Sequence, residues 1–197
     1  MSDGFFYSYH LGWSRPDAES LLGDLEAAGV GPAHPVTRRI TLISPGAESS
    51  GTQSWVTRDQ LVLLAGLQRL DQVDFLLWVG SGAGVPTRVR RTDDGTVALQ
   101  FTLGRLSPDE REAVVRAIRE AIGRASVLCV GFVVDREGAS AETDWRGFIV
   151  KGSAYFDCWP DTLAVRSEVA SMQPQLSGVS SFEQSPWVVY GSEVPSR

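Results

Sequence analysis

Residues 73–91 read VDFLLWVGSGAGVPTRVRR, and the residue types beyond the three glycines of this stretch decide the fold. The run before them is nearly all apolar, as expected of a strand buried on both faces. A phosphate-binding loop needs a helix after its glycines, because only a helix start converges backbone N–H groups on an anion. Here Pro86 removes a donor, and the β-branched alternation beyond it predicts a second strand. Val85 stands where a dinucleotide fingerprint requires glycine or alanine, and no Lys-Ser/Thr pair follows. The stretch therefore reads as a glycine turn between two strands, with Arg88, Arg90 and Arg91 on a solvated strand face.

Downstream, TRVRRTDDGTVALQFTLG reads as a hairpin turning at Asp94 and Gly95, with Leu99, Phe101 and Leu103 alternating onto one face. Ser107, Pro108 and Glu110 form a helix start, with a capping hydroxyl, proline at the first position and a reciprocal carboxylate. Val114, Ile118, Ala121, Ile122 and Ala125 are its apolar stripe. SVLCVGFVVD (126–135) then reads as a buried strand. WRGFIVKGSAYFDCW is expected to supply one or two strands, and DTLAVRS follows it.

Upstream, FFYSYHL (5–11) predicts a strand. A helix with Ala18, Leu21, Leu22, Leu25 and Ala28 on one face comes next, opened by Ser14, Pro16 and Asp17 and ended by Gly29. VTRRITLIS (36–44) predicts a strand and residues 45–54 a Gly/Ser-rich loop. Thr57 and Gln60 form a capping box for a helix over about residues 58–70. In the tail only PWVVYG is strand-like.

This order predicts an α+β fold: a mixed, largely antiparallel sheet with its helices packed on one face. The halves FFYSYHLGWSRPDAESLLGDLEAAG and ALQFTLGRLSPDEREAVVRAIREAIG share a strand, Ser/Pro/Asp cap and helix. Element order makes a ferredoxin-like βαβ arrangement the preferred instance, duplicated if the likeness of the halves is a true repeat. The organisation expected is one domain over 1–197, with a pseudo-repeat of 5–95 and 96–170 and a Ser/Gln-rich extension over 171–197.

The chain of 197 residues is 43% hydrophobic and 21% charged, enough apolar content for a sizeable core without a membrane span. No secretory signal pattern is present at the N-terminus, and two separated cysteines, Cys129 and Cys158, suggest no disulfide framework; a cytoplasmic setting is expected. Cys158 is read as a partly buried structural thiol. Lys151 is the single lysine among 18 basic residues, an arginine skew expected of a GC-rich bacterial genome. A net charge of −6 argues against nucleic acid as partner.

Two histidines and two cysteines without ligand spacing predict no metal site, and no cofactor motif is present. The carboxylates beside Cys158 oppose a reactive thiolate. The six tryptophans are the more informative feature, since exposed tryptophan carries interface energy. Trp13, Trp55, Trp145 and Trp159, with Asp157 and Asp161, are the expected binding residues. The function expected is a non-catalytic interaction protein whose acidic, tryptophan-bearing surface docks a basic protein partner, for example a toxin-neutralising immunity protein. The alternatives are a small enzyme using His10, Tyr7 and Asp157 as acid/base groups, or a carrier of a small apolar ligand.

Overall fold

The computed structural model describes residues 3–43, 53–67, 70–125 and 128–191. Parts of four expected elements lie outside these residues: the end of the strand over 36–44, most of the loop over 45–54, the end of the helix over 58–70 and the start of the strand over 126–135. The first half runs β1 (Phe5–Leu11), α1 (Arg15–Ala27), β2 (Val30–Gly31), β3 (Ile40–Ile43), β4 (Gln53–Val56), α2 (Arg58–Gly66), β5 (Gln72–Val79) and β6 (Ala83–Arg91). The second runs β7 (Thr96–Thr102), α3 (Pro108–Arg124), β8 (Cys129–Asp135), α4 (Trp145–Ile149), β9 (Thr162–Arg166), α5 (Ser167–Met172), β10 (Ser181–Gln184) and β11 (Trp187–Gly191).

The eleven strands among the described residues join one open sheet, ordered β10-β11-β9-β8-β1-β7-β6-β5-β3-β4 with β2 pairing β5. The glycine turn behaves as its sequence requires. Gly80 and Gly82 both have positive φ, 58° and 130°, and the N–H of Gly82 donates to Val79 O at 3.2 Å, so β5 folds straight back into β6. Pro86 is placed just before Thr87, the first β6 residue paired to β7, where a missing N–H is tolerated. The three expected helix starts form. Ser107 Oγ accepts from Glu110 N, and Thr57 Oγ1 accepts from Gln60 N at 3.2 Å. At α1 the Asp17 carboxylate accepts the Ser14 N–H at 2.8 Å.

Each strand pairing among the described residues is antiparallel. The halves interleave, with β1 of the first between β7 and β8 of the second, so the sheet does not show the duplicated ferredoxin-like arrangement expected. The two similar strand-cap-helix units are instead neighbours: β1 lies antiparallel to β7, and α1 packs on α3.

The expectation of helices on one face is also corrected. On the first face, Leu21, Leu22 and Leu25 of α1, Leu61 and Val62 of α2, and Val114, Ile118 and Ile122 of α3 meet Phe6, Leu99, Phe101 and Phe132. Each such side chain, fully buried, contributes about 1.5–3 kcal/mol. On the other face, Trp145, Phe148 and Ile149 of α4 pack with Phe5, Tyr9, Val133 and Leu163. Continuous burial of β8 on both faces is what makes its sequence uniformly apolar.

Other elements differ in detail. WRGFIVKGSAYFDCW forms the short helix α4 and an irregular loop rather than strands, because Trp145, Phe148 and Ile149 recur at helical spacing behind the Asp144 cap. The edge strands β4 and β10 escape detection for being short and polar. Arg91 turns away from the solvated strand face, its Nε donating to Leu67 O at 2.8 Å and Nη2 to Ala65 O at 3.4 Å, a cap on the C-terminal carbonyls of α2.

Gly131 sets how closely α4 approaches the sheet. A Cβ there would stand 2.4 Å from Ala164 O and 2.7 Å from Ile149 Cγ2. Gly131→Ala is expected to destabilise the fold by about 2 kcal/mol, as overpacking does. Urea unfolding checks this, and a change below about 0.5 kcal/mol would mean that the contact gives way freely.

Candidate functional site

The most prominent exposed aromatic surface is the loop Tyr155 to Asp161, and it is built from the core outward. Asp135, at the end of β8, starts the scaffold. Its Oδ1 accepts the N–H groups of Glu137 at 3.1 Å and Gly138 at 2.7 Å, and its Oδ2 accepts Ser140 N at 2.7 Å and Ser140 Oγ at 2.6 Å. Burial pushes this carboxyl up, but the bonds from Ser140, Gly138 and Glu137 together outweigh that and hold it below the usual carboxylate range. The turn so formed presents Ser140 O to the indole N–H of Trp145 at 3.1 Å.

Trp145 and Phe148 then receive Phe156 at ring separations of 5.2 and 5.0 Å, and Phe156 is 8% exposed. Trp159 sits edge-on against Phe156 at 4.9 Å but is 46% exposed. A stack of rings thus runs from the core to the surface and ends in an indole held in place by its neighbours. Tyr155, 72% exposed, lies on the same loop. Asp157 and Cys158 are exposed beside Trp159, which corrects the expectation of a partly buried Cys158.

The six expected binding residues do not form one surface. Trp13 is 3% exposed, with its indole N–H donating to Ala65 O at 3.0 Å, so it locks α1 to α2. Trp145 is 1% exposed. Neither can reach a partner, and the expectation is corrected for both: each indole buries its rings and finds a carbonyl for its N–H, the usual core solution. Trp55 is exposed on edge strand β4 beneath the Arg39 guanidinium, 3.8 Å from its ring centroid. From β4 to β9 is seven strand spacings, roughly 34 Å, so Trp55 and Trp159 do not share one small interface. Asp161 accepts the N–H of Arg136 at 2.6 Å and pairs with its guanidinium at 3.5 Å, anchoring the loop's end. Trp159 and Asp157 are the expected residues that the fold both groups and exposes.

The acid/base alternative does not assemble. His10 is fully buried on the α1–α3 face, where Ser8 Oγ lies 3.0 Å from Nε2 and Nδ1 has no partner among the described residues. Burial lowers its pKa to about 4, so it is neutral at pH 7. Tyr7, three residues away on an alternating strand, points to the opposite face, and Asp157 is on the loop. Cys129 is enclosed, and burial pushes its thiol up to about 12, outside nucleophilic use.

A second feature was not expected from sequence. The helices α4 and α5 pack on β8, β9 and β11, and no described helix covers the same face of β6, β5 and β3. Across it the register aligns Tyr7 with Gln100, Gln100 with Arg88, Arg88 with Asp74 and Asp74 with Ile43. The signal that could have found this row is Asp74 itself, a carboxylate inside the apolar run VDFLLWV. A strand buried on both faces does not keep an acid without a partner. A cleft of about 210 Å³ opens over the row.

The arrangement defines a class by architecture alone: an α+β protein with a large open antiparallel sheet and, among the described residues, five α-helices. No protein-family model, curated protein or solved structure matches the chain. No described helix is long and apolar enough to cross a membrane.

Proposed function

We propose that this is a non-catalytic binding protein that docks a basic protein partner through the loop Tyr155 to Asp161, as a toxin-neutralising immunity protein would. The observation that carries this reading is Trp159, a half-exposed indole pinned by Phe156 against the Trp145–Phe148 cluster. A rigid, large, amphipathic side chain loses little conformational freedom on binding, which is why tryptophan dominates interface energetics. The exposed Asp157 beside it and the net charge of −6 favour a partner of opposite sign and speed its approach.

The test is to isolate a partner from native lysate at low salt, purify it and titrate it. Trp159→Ala is expected to weaken binding at least about thirtyfold, equivalent to about 2 kcal/mol. Asp157→Asn should chiefly lower the association rate and its salt dependence. A partner whose affinity ignores both substitutions, or that binds equally well at high salt, would remove the basis of the assignment.

A further inference from the structure

The cleft over β6, β5 and β7 contains more hydrogen-bonding capacity than the protein itself uses. Asp74 is 9% exposed and receives Arg88 Nε on Oδ1 at 2.7 Å, Arg88 Nη2 on Oδ2 at 3.5 Å and Gln72 Nε2 at 2.6 Å. This side-on pairing fixes the guanidinium while leaving Nη1 and the outer N–H of Nη2 without a partner among the described residues. The Arg88 side chain is 47% exposed. Beside it in the cleft, the Gln100 amide and the Tyr7 and Thr102 hydroxyls also make no side-chain hydrogen bond among the described residues. Pro86 supplies an apolar wall.

An oriented guanidinium edge matches the two oxygens of a carboxylate, and a neutral phenol, amide and hydroxyl next to it suit a polar tail. Tyr7 keeps its proton, because burial raises its pKa more than the nearby Arg88 lowers it. The cleft, about 210 Å³, is smaller than the roughly 300–1,000 Å³ of drug-sized sites, which restricts the ligand to a compact molecule. We propose that this cleft binds a small organic carboxylate, with Arg88 gripping the carboxylate and Gln100 and Tyr7 reading the remainder. Because Asp74 already balances the charge of Arg88, the site selects by hydrogen-bond geometry more than by net field. It is independent of the docking loop and stands or falls separately.

Nitrogen-15-labelled protein titrated with succinate, acetate and inorganic phosphate tests the site at the Arg88 Nε–H and the Gln100 side-chain amide. Saturable shifts are expected at both groups with succinate, weaker ones with acetate, and none that saturate with phosphate. Arg88→Lys retains a charge for Asp74 but loses the fork, and is expected to weaken succinate about tenfold with little change in melting midpoint. Gln100→Leu, which leaves the ion pair untouched, should weaken it about fivefold. Linear, non-saturating shifts with every probe would overturn the site, as would succinate binding unchanged in both variants. Phosphate binding as tight as succinate would overturn the carboxylate assignment.

Discussion

Trp145→Ala is expected to destabilise the protein by about 4 kcal/mol, while Trp159→Ala, fourteen residues on and equally aromatic in sequence, should change stability by less than about 1 kcal/mol. Trp145 is 1% exposed and contacts both Phe148 and Phe156, so its removal leaves a cavity the size of an indole. It also leaves Ser140 O without its donor, in a turn that Asp135 holds together. The same substitution should release Phe156 and loosen the loop carrying Trp159, so partner binding should weaken in Trp145→Ala even though Trp145 touches no partner. Urea unfolding of both variants gives the stabilities, and amide exchange over residues 153–160 reads the loop. Equal stabilities, or unchanged loop exchange in Trp145→Ala, would show that the ring stack does not position the docking surface.

Acidification from pH 7 to pH 4 should remove about 3 kcal/mol of stability through His10 alone. Burial lowers its pKa from the ordinary 6.5 to about 4 in the folded protein, opposed weakly by Asp17. Between these values the unfolded chain takes up a proton that the folded protein refuses. The contribution is therefore complete above about pH 6.5, falls as pH drops through the window and is gone near pH 4. His10→Gln, neutral throughout, should show a stability that declines less over the same range by about 3 kcal/mol. Carboxylates such as Asp135 titrate in both proteins, so the difference between the two curves isolates the imidazole. Parallel curves would mean that His10 meets solvent or gains a partner on protonation.

Two functional readings thus rest on different physics. The docking loop depends on a rigid exposed ring and on charge, whereas the cleft depends on hydrogen-bond capacity that strand pairing leaves unused. A partner lost in Trp159→Ala while succinate still binds, or the reverse, tells them apart.

Local chemistry determined much of this protein in advance. The turn at Gly80–Gly82 arises from positive φ and from a proline and β-branched residues beyond it, and the helix starts at Thr57 and Ser107 arise from side chains that satisfy N–H groups three residues away. The buried strand of β8 reflects its unbroken apolar run. These are interactions between residues close in sequence, so the sequence displays both partners. Tertiary structure decided what depends on distant partners. It set the strand order that places β1 between β7 and β8, put α4 and α5 on the second face, and sent Trp13 and Trp145 inward while leaving Trp55 and Trp159 outside. It also aligned Asp74, Arg88, Gln100 and Tyr7 from four strands into one row. An indole reads the same whether its N–H will meet water or a buried carbonyl, and a lone charge in a strand has no meaning until register supplies its partner.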